Sequence, residues 1–226
     1  PMMNNQIGGR LAENNAARVN ALRGLTGEDG ARAFAEAERR GTAGPMYKQA
    51  FEVMPDASAM TPEQARTMQT LIRSPAIKEA MGQARAIAAN RGTNVGPANA
   101  TGSIQGLHDM KTAMDGAISA ARTAGNTVKA DSIKDAQNRL VGLIEELSPE
   151  YKSARTVYAQ MSRPINSMDI ASDVARRGLS SGSDLAGNQT INRNALLGAM
   201  RDEPALIRRA TGRNVGNALS DVMAPD

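Results

Sequence analysis

The stretch that decides the fold is SIQGLHDMKTAMDGAISAARTAGNTVKADSIKDAQNRLVGLIEEL, Ser103 to Leu147. Ile104, Leu107, Met110, Met114, Ala117, Ile118 and Ala121 recur at steps of three and four. A helix turns once in about 3.6 residues, so this spacing gathers them on one face that must be buried. Ala124-Gly125-Asn126-Thr127 then closes the helix with a glycine and opens the next. The second stripe is Val128, Ile133, Ala136, Leu140, Leu143, Ile144 and Leu147. A connection this short makes the two helices antiparallel neighbours.

A third helix follows in ELSPEYKSARTVYAQMSRPINSMD, Glu146 to Asp169. Ser148 reads as the N-cap, Pro149 takes the first helical position, and Glu150 puts a negative charge in the first turn, where the helix dipole favours it. Tyr151, Ala154, Val157, Tyr158 and Met161 carry a stripe that Ile165 and Met168 extend beyond Pro164. That proline is expected to kink or interrupt the helix, because its ring removes a donor and crowds the preceding turn. The expectation is an all-α protein built round an antiparallel bundle of about three helices at 103–176. Leu107, Met110, Met114, Leu140, Ile144, Tyr151, Tyr158 and Met161 are its expected packing and interface residues.

Working outward, residues 92–102 (GTNVGPANATG) lack any apolar period and read as a connector. The expected division is therefore a looser N-terminal helical region at 1–92, a linker at 93–102, the bundle at 103–177, a flexible connector at 178–193 and short helices at 194–226. In the first region Leu11, Val19 and Leu22 form a weak stripe over about 10–25. GEDGARAFAEAERRG then reads as a helix with acids in its first turn, Arg39 and Arg40 in its last and Gly41 as its stop. GPMYKQAFEVMP reads as a separate short helix started by Pro45 and ended by Pro55, with Met46, Tyr47, Ala50, Phe51 and Met54 on one side. Thr61-Pro62 with Gln64, and Ser74-Pro75, open two more helices, the second ending at Asn90-Arg91-Gly92. After GLSSGSD, two short helices are expected at about 194–202 and 204–210.

Composition narrows the class of function. Apolar residues make up 41% of the 226, yet aromatics only 2%, while Met occurs 13 times. Such a chain packs Ala, Leu, Ile and Met between closely spaced helices, which favours a slender, adaptable assembly over a compact enzyme core. With no Cys, neither a disulfide nor a thiolate site is available. No run approaches the roughly 18 apolar residues of a membrane span. PMMNNQIGGRLAENN carries no secretory core, so a soluble chain is expected. Pro1 fits either an excised initiator Met or the start of a fragment. The 27 basic and 23 acidic residues leave +4. The basic residues are dispersed except for the pairs Arg39-Arg40, Arg176-Arg177 and Arg208-Arg209, read as helix-end charges rather than phosphate ligands.

Chemistry-bearing patterns are few, and no catalytic, cofactor or metal residue is expected. His108, the single histidine, sits beside Asp109, but adjacent helical positions diverge and a lone His makes no usual zinc site. A surface or interface imidazole is the expectation. Glu145 and Glu146 could be imagined as a sugar-cleaving acid pair, yet consecutive helical residues splay by about 100 degrees. GLSSGSD lacks the Lys and the strand context of a phosphate loop and reads as a linker. Basic residues interleaved with aromatics, the mark of single-strand binding, do not occur.

GPMYKQAF, LIRSPAIKEAMGQARAIAANRG, LHDMKTAMDGAI and LSPEYKSARTVYAQMSRPINSMD, in that order over about residues 44–170, resemble a helical region of large proteins encoded by bacteriophages and prophages. The chain departs from that pattern at Met46, where Leu is usual, and at Gly116, where a second acid is common. The resemblance implies an internal virion or ejection protein of a short-tailed phage. Such a protein is packaged near the portal and tail, leaves with the DNA for the host envelope or cytoplasm, and acts by helix-mediated assembly, with no enzyme activity in this segment. Its implied partners are copies of itself and portal, tail or ejection proteins, with non-specific DNA contact and transient host-envelope contact as extensions of the role. Rival readings are a fixed portal or tail component, a DNA-binding packaging protein, a membrane-active channel former and the non-catalytic part of a larger wall-degrading virion enzyme.

Overall fold

The computed structural model describes residues 13–21, 24, 26–27, 30–54, 60–93, 102–183, 189–212 and 218–223. Residues 13–21 are helical, and α1 (Ala31–Glu52), α2 (Pro62–Arg73), α3 (Pro75–Asn90), α4 (Ile104–Thr123), α5 (Thr127–Leu147) and α6 (Pro149–Gly178) follow. A two-stranded antiparallel sheet, β1 (Leu179–Ser183) with β2 (Gln189–Ile191), precedes α7 (Arg193–Met200), α8 (Glu203–Thr211) and α9 (Leu219–Val222). The fold is all-α apart from this small sheet.

Local chemistry explains where the helices start. Thr61 accepts from Gln64 N at 3.2 Å while the Gln64 side chain accepts from Thr61 N at 3.0 Å, so two otherwise unpaired amides are satisfied reciprocally. Ser103 accepts from Gly106 N and Asn126 from Lys129 N, each at 3.0 Å. Ser148 accepts from Tyr151 N at 3.1 Å. Gly125 sits at φ 74, a conformation in which a side chain would crowd the backbone, and there the chain turns from α4 into α5. Ser74 stands at the N-cap of α3 without a side-chain bond of its own.

Two compact units divide the chain, one formed by 40–158 and the other by 1–39 together with 159–226. Each has its own core. In 40–158 the buried cluster takes Ala50 from α1, Leu71 from α2, Ile77 and Ala84 from α3, Leu107, Met110, Met114 and Ile118 from α4, Ile133, Leu140 and Ile144 from α5, and Tyr151 from α6. In the second unit Ile170, Val174, Leu206, Ile207 and Val222 form the centre.

Several sequence expectations are corrected. The stretch 93–102 separates no units, because α3 packs along α4 and shares its core; residues 94–101 lie outside the described residues. Residues 40–52 of α1, together with α2 and α3, are therefore part of the bundle, and the unit boundaries fall at 39/40, within α1, and at 158/159, within α6. The two helices expected on either side of Gly41 are one, α1, with Pro45 inside it. Pro45 removes a single backbone donor from a helix that continues on both sides of it. Arg39-Arg40 consequently lies mid-helix. The helix α6 likewise runs through Pro164 without interruption. Val128 is 80% exposed, since it precedes Ile133 by five residues and so points about 140 degrees away from the stripe. Met54 lies beyond the end of α1 and is exposed. The connector at 178–193 contains the β1–β2 pairing, with Leu179 opposite Ile191 and Ser183 opposite Gln189. Leu11, Leu22, Glu28, Asp29, Pro55 and residues 184–188 lie outside the described residues.

Candidate functional site

Three of the chain's five aromatic side chains converge on its one histidine, and a fourth joins them through Tyr47. Tyr47 and Phe51 stand four residues apart on α1, so they share a face, with ring centroids 5.7 Å apart. His108 enters from α4, 5.5 Å from Tyr47 and 5.1 Å from Phe51. Tyr151, held in the first turn of α6 by the Ser148 cap, meets Tyr47 edge-on at 5.6 Å, and Tyr158 reaches Tyr47 at 6.2 Å. Edge-to-face pairs at these separations contribute about 0.5–1.5 kcal/mol each beyond burial. In a chain so poor in aromatics, this cluster is where α1, α4 and α6 are keyed together.

Its electrostatics keep it uncharged. His108 Nδ1 and the Tyr151 hydroxyl are 2.9 Å apart, which gives the buried phenol its partner. Burial above all, with Lys111 adding repulsion, lowers the His108 imidazole to about 4 despite the opposing pull of Asp109 and Asp115. Burial raises Tyr47 to about 12 and raises Tyr151 further still. At neutral pH the three groups are therefore neutral hydrogen-bonding surfaces with no proton ready to exchange. Of the two placements expected for the imidazole, surface or interface, the structure has the second: the ring is packed among aromatics from two other helices.

The surrounding charges are tied to one another. Asp109, buried, takes 2.6 Å from Arg91 and 3.1 Å from Gln105. Gln137, buried on the apolar side of α5, donates to Lys111 O at 3.1 Å and Asp115 Oδ1 at 2.7 Å, and accepts from Lys134 Nζ at 3.0 Å. Glu145 is engaged by Arg155 at 2.5 Å, whereas Glu146 is exposed, so the adjacent carboxylates diverge as consecutive helical residues must. Among the described residues, no group of three or more His, Asp or Glu is placed to hold a metal, and no helix is long and apolar enough to cross a membrane.

Of the residues expected from sequence, Leu107, Met110, Met114, Leu140, Ile144 and Tyr151 come together in the core of the 40–158 unit, and Tyr158 joins them through its contact with Tyr47. Met161 belongs to the other unit and is half-buried. Sequence reasoning missed the convergence of Tyr47, Phe51 and His108. The four-residue spacing of the first two signalled a shared face, but nothing local signalled what that face meets. No protein-family model, curated protein or solved structure matches the chain.

Proposed function

We propose that this chain is a bacteriophage structural protein, an internal virion or ejection protein packaged near the portal and tail and delivered with the DNA. It works by helix-mediated assembly rather than catalysis. The observation that carries the reading is the fate of the four ordered segments of the phage-like pattern. Tyr47 and Phe51, then Leu71, Ile77 and Ala84, then Leu107, Met110, Met114 and Ile118, and finally Tyr151 all pack in or against one apolar cluster. What these segments share with phage proteins is thus a set of packing positions, as a structural role requires. Large apolar side chains left in solvent supply material for contact with further copies or with other virion proteins. Phe34 is 72% exposed, and Val128, Met54 and Leu197 are exposed as well.

Phe34→Glu and Val128→Glu test the assembly step. Both positions are exposed, so each variant should keep the parent's melting temperature to within a few degrees. Supplied to infected cells alongside the natural protein, each should enter particles less well than the unchanged chain. Equal incorporation of both variants would refute assembly through these surfaces.

A further inference from the structure

Arg176, Arg177 and Arg209, drawn from two arginine pairs that sequence reasoning treated as separate helix ends, meet at one carboxylate. Arg176 and Arg177 close α6, and Arg208 and Arg209 close α8. Asp173, 5% exposed, binds Arg176 through Oδ1, and through Oδ2 it binds Arg177 Nε at 3.2 Å and Arg209 Nε at 3.0 Å. Burial alone would raise the Asp173 carboxyl, but the hydrogen bonds from Arg209 and Arg176, with the charges of Arg209 and Arg177, hold it below its ordinary value. The guanidiniums stay wet at their outer ends, with side-chain exposures of 69% for Arg176, 39% for Arg177 and 33% for Arg209. Each gives one nitrogen to Asp173, and their remaining N–H groups have no acceptor among the described residues.

A purely structural tie does not need this arrangement. Arg209 alone joins α8 to α6, whereas Arg176 and Arg177 reach Asp173 from its own helix and connect nothing further. Three cations on one anion leave two charges over, of which the half-charges at two helix C-termini offset roughly one. The residue type matters too. All six lysines, from Lys48 to Lys152, fall in the 40–158 unit, so the unit with this cluster draws its positive side chains from arginine alone. Arginine's planar fork fits pairs of phosphate oxygens, and forks already fixed by a buried carboxylate lose little further freedom on binding.

We propose that Arg176, Arg177 and Arg209 form a binding patch for the phosphate backbone of duplex DNA. A duplex carries one charge per ~1.7 Å of axis, dense enough to engage several forks at once. Residues 159–226, which supply all three arginines, contain no aromatic side chain on which unpaired bases would stack. The unit's own charges nearly cancel, which makes the attraction local to the cluster and independent of sequence. This inference holds or fails separately from the virion reading.

The test is fluorescence anisotropy of the full chain with a short labelled duplex of mixed sequence, titrated between ~50 and ~200 mM salt. Joint substitution of Arg176, Arg177 and Arg209 by Gln should weaken binding at least about tenfold at low salt and flatten the logarithmic salt slope by roughly three. Arg85→Gln, which removes the same charge from an exposed position on α3, should cost less than Arg176→Gln. Should the triple variant lose its helical circular dichroism, Arg176→Gln alone carries the test. Its side chain is exposed and bonds only within α6, and its slope should fall by about one. The proposal is overturned if the natural chain does not bind duplex at low salt, if the folded patch variants bind like the parent, or if Arg85→Gln costs as much as Arg176→Gln. Binding to phosphatidylglycerol vesicles without binding to DNA overturns it as well.

Discussion

His108 gives the chain a defined response to acid. Its imidazole titrates near 4 in the folded state against an ordinary value of 6.5. The unfolded chain therefore takes up the proton first, and the His108 contribution to stability is intact above 6.5 and lost as the pH falls toward 4, by roughly 3 kcal/mol in all. Denaturant unfolding at steps across that window should show the loss in the parent and a shallower loss in His108→Phe, since carboxylates titrate alike in both. Parallel pH profiles would remove the imidazole from the account. At neutral pH the same variant should be destabilised by about 1–3 kcal/mol, because the buried Tyr151 hydroxyl loses its partner. Leu140→Ala or Ile144→Ala, each emptying a fully buried position, should cost roughly 2–5 kcal/mol, and Val128→Ala within about 0.5 kcal/mol. Sequence periodicity found Leu140 and Ile144 because their neighbours at three and four residues are apolar too. It misassigned Val128, and it could not anticipate Gln137, a polar residue on the buried face that donates to Lys111 O and Asp115 on another helix.

At the scale of elements, the caps at Thr61 and Ser148 were legible because capping is chemistry between residues three apart. Thr61→Ala should destabilise by about 1 kcal/mol. What local grammar misread was α1, where Gly41 and Pro45 have the residues of a stop and a start but lie inside one helix. Pro45→Ala distinguishes the two readings. Within a continuous helix it restores a backbone donor and should raise helicity and stability, by up to about 3 kcal/mol, whereas at the first turn of a separate helix it would be close to neutral. Circular dichroism and thermal unfolding decide between them. The β1–β2 pair was illegible for a different reason: LSSGS and QTI have neither the length nor the alternation by which strands announce themselves. The Asp173–Arg209 bond, 36 residues apart in sequence, has no local trace at all.

For the whole molecule, helix content was written in the periodicity, but the division into units was not. A Gly- and Asn-rich connector resembles a boundary, yet burial decides, and the apolar faces of α3 and α4 share one core across it. The most direct measurement is quantitative mass spectrometry of purified particles before and after triggered DNA release, following peptides from LVGLIEELSPEYK, residues 140–152. The proposed role requires these peptides to be present in full particles and depleted in emptied ones. Their persistence after release would contradict ejection and leave a fixed portal or tail component, and their absence from full particles would contradict a virion role altogether.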